Sequence, residues 1–320
     1  MNALLLAGML SVLVATPSQT LAAPPTLQQA NAALQLGEAD RALSLLDALP
    51  ASAESHNLRC RVLYALEQWD AAAAECEQAV RMDSSNALYH LWLGRALGEK
   101  ADRASFLSAY SLGKRVRDEI EAAARLNPQS PEALSDLGEF YYDAPSIVGG
   151  GDQKAYKVAD DLARIAPARA HELRGRIAES RKDFSTAEDE FKKAIALDPH
   201  PAFQWTVIAS FYRRRSRWSD MDSALNDVVR LAQRDPHAGV ALYDGASTLI
   251  AARRNPSLAV HMLQLYLGMP IKSEEAPAFT AWLRLARLQA QSGDLAAARA
   301  SRAQALSLAP TYKPALDASF

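Results

Sequence analysis

The residues of this 320-residue chain whose types could do chemistry are six histidines, two cysteines and a run of three glycines. His56, His90, His171, His200, His237 and His261 form no H-E-x-x-H pair and no Cys/His cluster of zinc spacing, so they sketch no metal centre. Gly149-Gly150-Gly151, with Lys154 close behind, invites a phosphate-loop reading. That loop needs G-x-x-x-x-G-K-[ST] after a strand, so that backbone N–H groups wrap the phosphate and a hydroxyl holds magnesium. Here Ala155 follows Lys154 and no strand pattern precedes the glycines. They read instead as a chain reversal between helices, or as a loop that touches a partner. Cys60 and Cys76 are far from C-x-x-C spacing. A disulfide needs Cα atoms within about 7 Å; facing helices could supply that, and two buried thiols are the other reading. No nucleophile–base pair can be placed, so the expectation is a non-enzyme with no cofactor and no metal.

Charge narrows the partners. A net charge of −2 gives no general pull on nucleic acid or an anionic membrane. The basic runs Arg213-Arg214-Arg215 with Arg217, Lys114-Arg115-Arg117 and Arg253-Arg254 lack the basic domain with interleaved aromatics that nucleic acid would require, and read as solvated helix ends. Residues 1 to 37 carry no charged side chain, and Leu4 to Ala15 is an unbroken apolar run. That run is shorter than the roughly 20 residues a bilayer span needs. It matches the apolar core of a secretory signal peptide over residues 1–22, with small residues at Thr20 and Ala22 before a cut ahead of Ala23. The n-region departs from the pattern in having no Lys or Arg. Export to the periplasm or outside the cell is the expectation, with no membrane span after cleavage.

The elements that must position everything else are helices. In KDFSTAEDEFKKAIALDPHP (182–201), Phe184, Ala187, Phe191, Ala194 and Ile195 recur at three- and four-residue spacing on one helix face, and Pro199 ends it. The pattern returns as SGDLAAARASRAQALSLAP (292–310) and more loosely as EQWDAAAAECEQAVRMDSS (67–85). A period of about 34 residues, with small residues at fixed places and a closing proline, resembles the tetratricopeptide repeat family. The resemblance implies an all-α, right-handed solenoid of about eight helix-turn-helix repeats over residues 24–312, with a tail at 313–320 too short to complete another unit.

Two repeats depart from the period. The third carries extra residues within 98–115, bringing Phe106 and Tyr110; the fourth carries 144–153, bringing Ile147 and Val148. Both inserts lie between the two helices of adjacent repeats, so they emerge side by side and could form a partner-docking edge, or could pack on each other and stiffen the rod. His56, His90 and His171 fall at the fourth position of their units, where Trp205, Tyr243 and Trp282 stand elsewhere, and read as substitutes for a packing aromatic. By resemblance the first helix of each repeat lines a concave groove. That carries over to Arg61, Tyr64, Arg95, Glu139, Tyr142, Arg176, Arg213 and Arg287. Arginine forks suit carboxylates, which suggests a protein or peptide partner with acidic groups or a free C-terminus. The alternative is that these arginines pair with Glu139, Glu172 and Glu179. The functional expectation is a scaffold binding proteins or peptides in the cell envelope. The rivals are an accessory subunit of an envelope assembly or secretion complex, and a cytoplasmic regulator if the N-terminus is not a signal.

Overall fold

A computed structural model describes residues 25–320; the segment expected to be a signal peptide lies outside the described residues. Within them the chain forms eight antiparallel helix pairs and no sheet. The first four pairs are α1 (Leu27–Leu36) with α2 (Ala39–Asp47), α3 (Ala53–Ala65) with α4 (Trp69–Met82), α5 (Ala87–Asp102) with α6 (Phe106–Leu126), and α7 (Pro131–Asp143) with α8 (Asp152–Leu162). Then come α9 (Pro167–Ser180) with α10 (Phe184–Leu197), α11 (Ala202–Arg214) with α12 (Trp218–Ala232), α13 (Gly239–Ala252) with α14 (Pro256–Gly268), and α15 (Ala278–Gln291) with α16 (Leu295–Leu308). The tail adds one turn, α17 (Lys313–Leu316).

Local chemistry sets the boundaries. Thr26 and Gln29, and Ser52 and Ser55, form reciprocal capping boxes at the starts of α1 and α3, while the carboxylates of Asp183 and Asp294 cap α10 and α16. At six of the eight turns within a pair a residue within two positions of the first helix's end turns left-handed: Gly37, Glu67, Lys182, Ser216, Arg253 and Gly293. In each case the next N–H reaches back five residues to a carbonyl of the helix just ended, as from Glu38 to Ala33 and from Asp183 to Ala178. The two turns built otherwise belong to the third and fourth pairs, where the inserts sit.

In the third and fifth units the helices of a pair approach closely at the eighth position, where the residue is glycine. A Cβ on Gly94 would lie 2.6 Å from Ile120, and one on Gly175 would lie 2.6 Å from Phe191. In the second unit the same contact is Cys60 against Cys76, and there it is a disulfide with Cα atoms 5.3 Å apart. Of the two readings left open by the sequence, the bridge is the one the fold makes.

The same comparison measures the first insert. Gly175 to Phe191 and Cys60 to Cys76 each span 16 residues, and Gly94 to Ile120 spans 26. His56 and His171 each bond through Nδ1 to a glutamate 19 residues on (Glu75 at 2.6 Å, Glu190 at 2.7 Å), whereas His90 meets Glu119 at 2.6 Å across 29. Both differences give ten residues. The insert is therefore absorbed as extra turns on α5 and on the 21-residue α6, giving a longer helical hairpin.

The rod expected from stacked repeats does not stay open. The last pair returns to the first, and the chain closes into a ring. Phe279 and Leu283 of α15 share one core with Ala30 and Leu34 of α1, Leu46 of α2 and Leu58 of α3. Gly37 lies against Ala278, so close that a Cβ there would sit 3.0 Å from its backbone nitrogen. Polar contacts stitch the seam: Tyr312 donates to Glu67 at 2.6 Å, and the Glu274 N–H donates to the Gln35 side chain at 3.3 Å. The tail belongs to this seam, with Tyr312 and Ala315 buried in it.

Candidate functional site

Closure turns the concave groove into an inner wall that faces itself. Arg61 and Tyr64 on α3, Arg95 and Glu99 on α5 and Asp136 and Glu139 on α7 look across at Tyr243 on α13 and at Glu274, Glu275 and Thr280 beside and on α15. Together they line a cavity of about 610 Å³, within the range of roughly 300–1,000 Å³ usual for small-ligand sites. A neighbouring hollow of about 300 Å³ is lined by Arg176 of α9, Arg213 of α11 and Asp244 of α13. Of the groove residues expected from the sequence, Arg61, Tyr64, Arg95 and Glu139 come together in the first and Arg176 and Arg213 in the second. Arg287 is exposed and Tyr142 half-buried outside both linings.

Of the two readings open for the arginines, forks free for a ligand or forks paired with the wall, the contacts of three match pairing. Arg61 grips Glu274 bidentately at 2.6 and 2.9 Å across the ring seam, and its third contact is Asn31. Arg95 holds Asp136 at 2.6 and 3.2 Å, and Arg176 holds Glu172 of its own helix at 3.3 Å. Three of the forks are already filled by the wall's own carboxylates. Only Glu172 is one of the three glutamates the sequence suggests for this role; Glu179 takes Arg214 instead, at 2.6 Å. Hydrogen bonding and charge from Asp136 raise the Arg95 pKa although burial works against it.

Carboxylates without such partners behave differently. Enclosure within the ring withdraws Glu139 from bulk water and raises its pKa, with Arg176 pulling it back. Burial pushes Asp244 up to about 6, which Arg284 opposes and Glu275 reinforces. Asp244 ordinarily titrates near 3.8. Between those values the folded chain keeps a proton the unfolded chain has lost, so this group makes stability fall as pH rises from about 4 to about 6. Asp244→Asn is expected to raise stability at pH 7.5 by about 3 kcal/mol, and by almost nothing at pH 3.5. Urea denaturation at the two pH values checks this; an equal shift at both would refute it.

At the insert edge, Phe106 and Leu107 are each 79 % exposed and Ile147 is 60 % exposed, with Tyr110 partly out at the same tip. Val148, expected beside them, turns inward. It is buried against Gly113 of α6, and Arg117 donates to its carbonyl at 3.3 Å. The triple glycine completes that fit. Gly149 takes a left-handed φ of 109° over the Arg117 side chain, and its carbonyl accepts from Lys154 at 2.8 Å. Lys154 thus serves the loop itself. Packing and exposure are both present at this edge, divided residue by residue.

What sequence reasoning missed on the inner wall is its acidic surplus. Glu274 and Glu275 come from the connector between α14 and α15, which belongs to no repeat position, and only closure of the ring brings them to the wall. No helix of the described residues is long and apolar enough to cross a membrane.

Models of the tetratricopeptide repeat match residues 57–104, 168–201 and 279–312, within the second and third, the fifth and the eighth pairs. No curated protein matches the sequence. Among solved structures, the chain is similar to TTC0263, a thermophilic TPR protein of Thermus thermophilus, at 18% identity and a TM-score of 0.47, covering 62% of this chain and 96% of that one. It is similar to the C-terminal part of a TPR repeat-containing protein from Cytophaga hutchinsonii at 16% identity and a TM-score of 0.42, covering 91% and 98%. A chain of the APC/C hetero-tetramer Cut9–Hcn1 matches at 11% identity and a TM-score of 0.41 over 91% of this chain; the chain spans about half of its length, 54%.

Proposed function

We propose that this chain of tetratricopeptide repeats is a non-enzymatic scaffold of the cell envelope, one that holds a segment of a partner protein against its inner wall and a second surface at the tip of the α5–α6 hairpin. Tetratricopeptide repeats are protein-binding scaffolds, and that coarse role follows from the repeats themselves. The observation that carries the finer reading is the lined cavity. Eight helix pairs spend their apolar faces on one another and leave an open hollow lined with polar and aromatic side chains.

Support for an exported chain comes from two independent features. Residues 1–22 read as a signal peptide, and the Cys60–Cys76 bridge is of a kind that persists in oxidising compartments. N-terminal sequencing of the mature protein tests the compartment: a start at Ala23 supports it, and a retained Met1 returns the cytoplasmic regulator to first place.

The hairpin tip and the neighbouring 146–148 turn are tested together by Phe106→Ser with Ile147→Ser. Both side chains already face solvent, so stability is expected to stay within about 0.5 kcal/mol of the wild type, while recovery of the tip-bound partner from an envelope extract is lost. Unchanged recovery removes the tip from the binding surface. A fall of several kcal/mol would mean that these side chains pack rather than dock.

A further inference from the structure

Resting on the reading of the inner wall as a peptide site, we propose that its occupant is basic: an extended segment carrying closely spaced lysines or arginines. The cavity is lined by seven carboxylates, those of Glu67, Glu99, Asp102, Asp136, Glu139, Glu274 and Glu275, against two guanidiniums, those of Arg61 and Arg95. The lining thus has a formal surplus of five negative charges (seven minus two), or four once Arg103, paired with Glu99 just outside the lining, is counted, within a chain whose whole net charge is −2. Both guanidiniums are committed, to Glu274 and to Asp136. Asp102, Glu139 and Glu275 accept no side-chain hydrogen bond and pair with no cation among the described residues, although the first two stand on adjacent first helices and the third faces them from the connector.

A second observation points the same way. Twice on the wall and once just beside it, a guanidinium is held between an indole and a carboxylate. Arg61 and Arg95 lie 5.7 and 4.9 Å from the centre of the Trp92 ring while gripping Glu274 and Asp136. Arg103 lies 4.8 Å from Trp69 while pairing with Glu99 at 2.6 Å. Indole faces and carboxylates side by side are the chemistry that receives organic cations. The wall contains more of the carboxylates than its own arginines use. Phe140 and Tyr243 complete the aromatic lining. The charge of an incoming cation also opposes the effect of desolvation on the Glu139 carboxyl, as that of Arg176 already does in part. An acidic segment would meet the opposite situation, with filled forks and repelling carboxylates.

Isothermal titration of the full chain with a blocked five-residue peptide of lysine and arginine, its aspartate/glutamate counterpart, and spermidine tests the proposal. Binding of the basic peptide is expected, weakened by raising NaCl from about 50 to about 300 mM and weakened about tenfold or more by Glu139→Gln with Glu275→Gln. Both glutamates are exposed to the hollow and unpaired among the described residues, so melting of that variant should not fall. Tighter binding of the acidic peptide overturns the basic occupant and leaves the peptide site standing. Binding of neither peptide overturns both. Spermidine binding as tightly as the peptide replaces the segment by a small polycation. A basic peptide that binds the variant as well as the wild type sits elsewhere, which also ends the proposal.

Discussion

Phe279→Ala is expected to lower the stability of the folded chain by about 3–5 kcal/mol, the range for emptying a fully buried aromatic site. It is also expected to enlarge the native radius of gyration measured by small-angle scattering. Phe279 has no exposed surface and meets the Tyr312 ring edge-on with centroids 4.8 Å apart. Its cluster joins α1, α2 and α3 to α15, so the loss falls on the seam rather than on one repeat. Leu263→Ala provides the contrast. Leu263 is equally buried, but it lies within the core running from α9 to α15 and away from the seam. It should cost a comparable amount, about 2–5 kcal/mol, with no change in native dimensions. If Phe279→Ala costs less than about 1 kcal/mol, or if both variants scatter identically, the two ends of the chain do not meet.

Opening the Cys60–Cys76 bridge should cost about 3 kcal/mol, the chain-entropy value for a closed loop of this length, here a sequence separation of 16. Denaturant midpoints with and without a reductant measure it, and Cys60→Ala with Cys76→Ala should reproduce the reduced form. The replacements are mild in volume, because alanine occupies the same close-contact position at Ala209 and Ala286. Two titratable thiols in the unreduced, denatured protein would dismiss the bridge outright.

Much of the repeat architecture is legible in the sequence because the constraint behind it is local. A helix pair needs a small residue at its crossing and a stop at its end. Gly94, Gly138, Gly175, Ala209 and Ala286 supply the first, while Pro199 and Pro310 supply the second. The bridge is legible too when the register is used fully, since Cys60 faces Cys76 at the two unit positions where Gly175 faces Phe191. The pairing of His56, His90 and His171 with glutamates 19 or 29 residues on is likewise present in the spacing. It makes these histidines polar staples rather than the aromatic substitutes their position alone suggests.

The ring is not legible. Phe279, Leu283 and Leu34 occupy ordinary core positions, and nothing in a 34-residue period states how much each unit rotates against the next. Small rotations add over eight units, so whether the ends meet depends on a sum that no single residue encodes. The acidic wall shares that fate, since the Arg61–Glu274 pair spans 213 residues. Repeat positions place the arginine forks on the inner side, but their occupancy depends on Asp136 and Glu274, which those positions alone do not bring within reach. The expected exposure of Val148 fails for a similar reason: its burial rests on Gly113, a residue of the other insert.

The seam also changes how the molecule can come apart. In an open stack of repeats the two terminal units have one neighbour each, and opening begins there by fraying. Here the first pair has a neighbour on both sides, so amide hydrogens of α1 and α16 should exchange nearly as slowly as those of central helices. Folding bears the corresponding cost: contacts between residues more than two hundred positions apart, such as Arg61 and Glu274, must form before either end is secure, which makes closure a late, slow event.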